Sequence, residues 1–332
     1  MLKPPILTIK DLSVTFRTHG KDLKVLKGLS YALKKGGTLC VVGESGCGKT
    51  VHSLAIMRLL DSNAKISGSV EFAGTNLLKL SEEEMRKVRG ARIAMIFQDP
   101  MSSLNPVLTI GAQIIETLLA HGVSDKKEAA RTAAELLGKV GIADGAQKLN
   151  LYPHEFSGGQ RQRIMIAIAL ACKPDILIAD EPTTALDVTI QKQIITLLKD
   201  LQAQEGMSLV FITHNLGLVS QMGGDVLVLY AGQLAEYNNT KHIFDKPLHP
   251  YTRGLLASAR GLEEGAQVLN AIDGNPPPAG KYFDGCPFEP RCKEKLEKCK
   301  HKNPPAFGRS AKVRCWLLEN TKHDVAGVEP EK

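Results

Sequence analysis

Gly43-Glu44-Ser45-Gly46-Cys47-Gly48-Lys49-Thr50 is a full match to G-x-x-x-x-G-K-[ST]. The short apolar run Leu39-Cys40-Val41-Val42 precedes it and the helix-like stretch Val51–Leu60 follows, the strand–loop–helix context that this motif requires. Glycines let the backbone wrap close to a phosphate so that successive N–H groups point inward. The helix start adds a favourable partial charge. In such a loop Lys49 reaches the β and γ phosphates, and the Thr50 hydroxyl ligates Mg²⁺.

Outward from the loop, β-rich apolar runs recur at Ile176–Ala179, Leu209–Ile212 and Val226–Leu229. Continuous runs of this length fit strands of a parallel sheet covered on both faces. Ile6 to Phe16 reads as two short β segments near a turn, and Gly68–Phe72 as another. These predict an N-terminal antiparallel β subdomain beside an α/β core. Lys126–Val140 and Arg161–Cys172 carry helical spacing, so a helical insertion is expected at about residues 99–172.

Two further segments carry chemistry. Ile176-Leu177-Ile178-Ala179 ends in Asp180 and Glu181. Asp180 is placed to hold Mg²⁺ through water, and Glu181 to polarise an attacking water as general base. Phe156-Ser157-Gly158-Gly159-Gln160 precedes an apolar helix, so its N–H groups and the Ser157 hydroxyl make a second anion site. Two phosphate-binding helix starts for one γ-phosphate are reconciled if two chains complete each other's sites.

Composition sets bounds. The chain has 332 residues, 43% hydrophobic and 23% charged, which suits about two globular domains and excludes wholesale disorder or a disulfide-stapled miniprotein. The formal charge of +7 suits phosphate ligands or an acidic surface, and with no aromatic–basic stripe no nucleic-acid partner is expected. The longest apolar run, Ile164–Cys172, is about half the ~18–20 residues of a membrane span. Met1-Leu2-Lys3-Pro4-Pro5 lacks a secretory h-region, so a cytosolic chain with reduced cysteines is expected.

Four of the seven cysteines, Cys286, Cys292, Cys299 and Cys315, fall in the last fifth of the chain, after the stiff Asn275-Pro276-Pro277-Pro278 stretch. They sit among Lys, Glu and Pro and not on an apolar face, which points to a metal centre. Zinc knuckles use tighter Cys pairs, whereas iron–sulfur ligation tolerates varied spacing, so spacing alone leaves both open. Residues 1–235 are expected to form the nucleotide-binding domain and 236–332 a C-terminal extension.

Taken together, these motifs resemble the nucleotide-binding subunit of an ATP-binding cassette (ABC) transporter over about residues 6–235. The resemblance implies that Ser157-Gly158-Gly159-Gln160 is the signature contacting ATP on the opposite subunit. It makes Gln98, in Phe97-Gln98-Asp99-Pro100, the glutamine that senses Mg²⁺ and couples to the membrane partner. Thr184-Ala185-Leu186-Asp187 matches the D-loop, His214 the switch histidine, and Phe16 the aromatic stacking on adenine. Phe156 and Cys47 stand where Leu and Ser are usual; neither change removes a needed donor or charge. His249-Pro250-Tyr251-Thr252 and Gly285-Cys286-Pro287-Phe288 with Pro290-Arg291-Cys292 are similar to the tail of peptide/nickel-type importer ATPases, in which a 4Fe-4S cluster can be carried. That favours iron–sulfur over zinc.

The function so implied is ATP hydrolysis at the cytoplasmic face of the membrane, as a peripheral subunit energising peptide uptake by ATP-driven dimer closure. Implied partners are a second ATPase in a heterodimer, two permease subunits and an extracellular substrate-binding protein. The competing expectations are a nickel-chelate importer, a soluble ABC ATPase acting on ribosomes or DNA, an exporter subunit, and a redox sensor regulated by ATP.

Overall fold

The computed structural model describes residues 4–18, 20–99, 103–123, 125–184, 186–263, 272–308 and 311–319. Met1–Lys3, and the motif residues Pro100 and Ala185, lie outside the described residues. In chain order the elements are β1 (Pro5–Thr18), β2 (Lys21–Lys34), β3 (Thr38–Val42), α1 (Lys49–Met57), β4 (Ala64–Phe72) and β5 (Thr75–Asn76). They continue with α2 (Glu82–Val88), β6 (Ile93–Ile96), α3 (Ile110–Ala120), α4 (Lys126–Lys139), α5 (Gly158–Leu170), β7 (Ile176–Asp180) and α6 (Val188–Glu205). The remainder are β8 (Ser208–Thr213), α7 (Leu216–Met222), β9 (Asp225–Tyr230), β10 (Gln233–Asn239), α8 (Thr240–Asp245), α9 (Pro250–Glu263) and β11 (Lys312–Val313).

The chain divides into two compact units. One is built chiefly from Lys34–Gly37 and Lys79–Ile212. Its β6, β7 and β8 run parallel, with Ile93 opposite Ile176 and Ile176 opposite Ser208. Every residue of β7 is buried, as expected of a strand covered on both faces. The expected helical insertion is α3, α4 and α5, packed on one another, with α5 also against β6. On α4, Ala129, Ala133, Leu136 and Leu137 are buried at helical spacing, while Asp125 caps the start by accepting from the Lys127 N–H. Each fully buried Leu or Ile of this kind contributes about 1.5–3 kcal/mol.

The second unit is built from Pro5–Leu33, Thr38–Leu78 and residues from Thr213 on. It holds the antiparallel sheet β2-β1-β4-β5 and the strand row β3-β9-β10-β11, in which β3 and β9 are parallel. β1 is one strand where two short segments were expected. Asp11 at φ 50° interrupts its pairing with β4 between Lys10 and Ser13, and pairing resumes on the far side. That bulge is the turn signal seen in the sequence, absorbed without ending the strand. β10 runs through the 235/236 boundary expected from the sequence, and β11 pairs with it, Glu236 opposite Val313. No helix among the described residues is long and apolar enough to cross a membrane.

Candidate functional site

In the second unit the phosphate loop leaves buried β3 and enters α1. Gly43 has φ 156°, and a Cβ there would meet the Leu229 carbonyl oxygen at 2.4 Å. Gly48, at φ 106°, precedes α1, and a Cβ on it would meet Leu26 Cδ2 at 2.7 Å. Only glycine satisfies both backbone and space at these two positions. No side chain caps α1, and Ser45, Gly46 and Thr50 are exposed. The helix start is therefore open to an anion. Lys49 is 6% exposed and folds back, its Nζ donating to the Gly43 carbonyl at 2.8 Å and the Glu44 carbonyl at 3.3 Å. The Cys47 N–H also donates to the Glu44 carbonyl, at 3.3 Å. Burial pushes the Cys47 thiol up to about 11, so the residue standing in for serine is a neutral packing group. This arrangement fits a phosphate chain: a cation, open amides and an exposed hydroxyl at one loop.

Two other expected residues lie in this unit. His214 follows β8 and is exposed, beside Asn215, which caps α7. Phe16 sits half-buried on β1 opposite Ala64.

In the first unit the two acids differ sharply in setting. Asp180 closes β7 and is 1% exposed. Glu181 takes φ 47°, a left-handed conformation uncommon outside glycine. Its N–H donates to the Ile212 carbonyl of β8 at 2.9 Å. Its carboxylate Oε2 accepts from Gln98 Nε2 at 3.2 Å and from Thr184 Oγ1 at 3.0 Å. The expected glutamine and the expected base are thus in direct contact. Thr184 as a holder of the acid was not anticipated; a hydroxyl three residues beyond an acid was its only signal. The two donors hold the carboxylate in one orientation.

At the signature, Ser157 caps α5 in a reciprocal box. The Gln160 N–H donates to Ser157 Oγ at 3.3 Å, and the Ser157 N–H donates to Gln160 Oε1 at 3.0 Å. Gly158 and Gly159 form the first turn, and a Cβ on Gly159 would meet Ile190 Cγ2 at 3.0 Å. Asp187, expected to face nucleotide, caps α6 by accepting from the Ile190 N–H at 2.9 Å.

The four tail cysteines influence one another electrostatically. The Cys286 N–H donates to the Cys299 carbonyl at 2.8 Å. Burial, with the other tail thiols adding to it, pushes Cys286 up to about 12 and Cys315 up to about 11. Among the described residues no three His, Cys, Asp or Glu side chains are placed to hold a metal ion. The sequence expectation that these four cysteines hold a 4Fe-4S cluster, or zinc in its place, finds no support in that geometry. Protonated thiols have no charge to share with a common centre, and ligation requires a metal to displace those protons.

Residues 26–184 match the ABC transporter family, and residues 235–299 match the family described as oligopeptide/dipeptide transporter, C-terminal region. The dipeptide transport ATP-binding protein DppD of Bacillus subtilis (strain 168) is 49% identical over 318 residues, covering 95% of each chain. The oligopeptide transport ATP-binding protein OppD of Escherichia coli (strain K12) is 45% identical over 299 residues, covering 90% of this chain and 89% of that one. Among solved structures, the dimeric post-hydrolysis state of the ATP-binding cassette MJ0796 bound to ADP and Pi superposes with a TM-score of 0.63 at 28% identity. It covers 70% of this chain and 98% of that one. The cbiO1 subunit from Clostridium perfringens, part of the ABC transporter complex cbiONQ, gives 0.64 at 25% identity, covering 74% and 92%.

Proposed function

This chain belongs to the ATP-binding cassette family of transporter ATPases, and from that premise we propose that it hydrolyses ATP to drive the uptake of dipeptides or oligopeptides. Support for the peptide assignment is the tail match together with relatives named for dipeptide and oligopeptide transport. Residues 1–235 would be the cassette and 236–332 its extension.

The observation that most supports hydrolysis is Glu181, whose carboxylate is oriented by Gln98 and Thr184 at the end of a buried strand. Glu181 would take the proton of the attacking water. Gly43 to Thr50 would wrap the phosphates, Lys49 adding its charge, and Phe16 would stack on adenine. Thr50, Gln98 and Asp180 would hold Mg²⁺, which neutralises charge on the β and γ phosphates. Ser157, Gly158, Gly159, Gln160 and Asp187 would face ATP on a second ATPase, and His214 would contact the γ-phosphate from its own chain. A cassette relative solved as a dimer with ADP and Pi supports such a facing pair. That second ATPase would be a related, different chain. Two permeases and an extracellular binding protein would complete the transporter, with this chain peripheral at the cytoplasmic face. Cys286, Cys292, Cys299 and Cys315 would hold a 4Fe-4S cluster, which supplies folding stability to a loop-rich appendage. Four neighbouring thiols are the donor set that such a cluster takes.

The test uses the assembled transporter in proteoliposomes with a labelled dipeptide. General-base assistance is worth about 10²–10⁴-fold, or roughly 3–5 kcal/mol. Glu181→Gln is expected to keep ATP binding and to lower single-turnover hydrolysis by that factor, abolishing dipeptide accumulation. Near-normal single-turnover hydrolysis would remove Glu181 as the base, and accumulation of a nickel chelate in place of the dipeptide would reassign the cargo.

A further inference from the structure

Glu44, the second residue of the phosphate loop, is held by two separate parts of the C-terminal region. Its carboxylate receives a two-pronged contact from Arg291, Nη1 to Oε2 at 2.6 Å and Nη2 to Oε1 at 2.9 Å. Its backbone N–H donates to the Tyr251 hydroxyl at 2.9 Å. Neither anchor is loose. The Arg291 side chain is 6% exposed, and its Nε donates to the Asp273 carbonyl at 3.0 Å. Tyr251 is fully buried and packs against Tyr230 and Phe288 at ring-centroid distances of 4.6 and 5.4 Å.

Glu44 also faces the other way. Its carbonyl accepts the Lys49 ammonium and the Cys47 N–H, both at 3.3 Å. One residue therefore joins the tail guanidinium to the lysine that meets the phosphates. A bidentate guanidinium–carboxylate pair fixes direction as well as distance. Breaking a buried pair from one side leaves an uncompensated charge. A loop already fixed in shape loses less freedom when a ligand arrives. Arg291 is itself placed by the turn between Cys286 and Cys292, so the tail's own fold decides where the guanidinium stands.

We propose that Arg291 is a positioning residue for the nucleotide site: acting through Glu44, it holds the phosphate loop and Lys49 in their phosphate-binding arrangement. Tight nucleotide binding by this chain then requires a folded tail. This rests on the ATPase assignment.

The test is calorimetric titration of the purified full-length chain with Mg–ADP, beside steady-state ATPase kinetics. Arg291→Ala and Glu44→Gln are each expected to weaken Mg–ADP binding about tenfold, the middle of the usual range for coupled sites. The double variant is expected to be no weaker than the single variants, because both remove one shared contact. Arg291→Lys keeps the charge but not the fork and should recover only part of the affinity. For Arg291→Ala, KM for ATP should rise with kcat little changed, whereas simple loss of folded protein would lower kcat and leave KM alone. If Arg291→Ala does not fold, Glu44→Gln, which keeps side-chain volume, reads the same contact from the loop side. Wild-type affinity in Glu44→Gln, or strictly additive losses in the double variant, would overturn the proposal while leaving the ATPase assignment intact. A wild-type chain that neither binds Mg–ADP nor hydrolyses ATP would instead sink the assignment on which it stands.

Discussion

Glu181 sits in a left-handed backbone conformation, and that unusual φ of 47° brings Thr184 round to its carboxylate. The Thr184 N–H donates to the Glu181 carbonyl at 3.1 Å, closing the turn, while Oγ1 donates to Oε2. Removing the hydroxyl leaves the backbone turn intact and takes away one orienting donor. Thr184→Ala is therefore expected to lower kcat by about ten- to a hundredfold, the factor for one hydrogen bond to a charged group of roughly 1.5–3 kcal/mol. Thr184→Ser should restore most of the rate, and ATP affinity should stay close to wild type. Pre-steady-state phosphate release checks this; an unchanged burst rate in Thr184→Ala would remove Thr184 as an orienting residue. The contact between Gln98 and Glu181 joins two positions the sequence singled out, one as an acid ending an apolar strand and one by the resemblance. Thr184 was not legible in its role, since its partner depends on one dihedral angle that composition does not record.

Elements were legible in proportion to how far burial alone determines them. β7 and β8 are buried throughout, so their apolar runs mark them with boundaries off by a residue or so. β2 escaped notice because its first four residues are exposed and its first half is rich in lysine, and its strand state comes from pairing within the antiparallel sheet. Tertiary context overrides local preference there. The tail is the sharper case. Sequence spacing grouped four cysteines, and their thiols influence one another in the folded chain, but no three metal-ligating side chains among the described residues are placed to hold a metal ion. Thiols pushed up to about 11 and 12 remain protonated near neutrality. Protein purified without oxygen is expected to contain about four iron and four acid-labile sulfide per chain, the stoichiometry of the cluster that four thiolates take. Elemental analysis finding one zinc and no sulfide would replace the cluster with a zinc centre.

For the molecule as a whole, acid stability turns on a histidine buried directly behind the phosphate loop. His52, on α1, is fully buried. Its Nε2 meets the Tyr31 hydroxyl in a short hydrogen bond, and Nδ1 has no hydrogen-bond partner among the described residues. Burial holds its pKa near 4, against 6.5 in an exposed chain. Between about pH 6.5 and pH 4 the unfolded chain therefore binds more protons than the folded one, and stability falls as pH drops through that window. The loss is complete once pH passes below the folded value, and the shift corresponds to about 3 kcal/mol at most. Above pH 6.5 the ring is neutral in both states and contributes no slope. Urea unfolding between pH 7.5 and pH 4 is expected to show this decline in the wild type and a shallower one in His52→Gln, which keeps an acceptor for Tyr31 and cannot charge. Parallel profiles for the two proteins would show that the decline comes from other groups, among them His249, which is also buried with its pKa held near 4. Because α1 begins at Lys49, the same protonation would strain the helix that presents Lys49 and Thr50. Nucleotide affinity is therefore expected to fall with stability in the wild type, and to fall less in the variant.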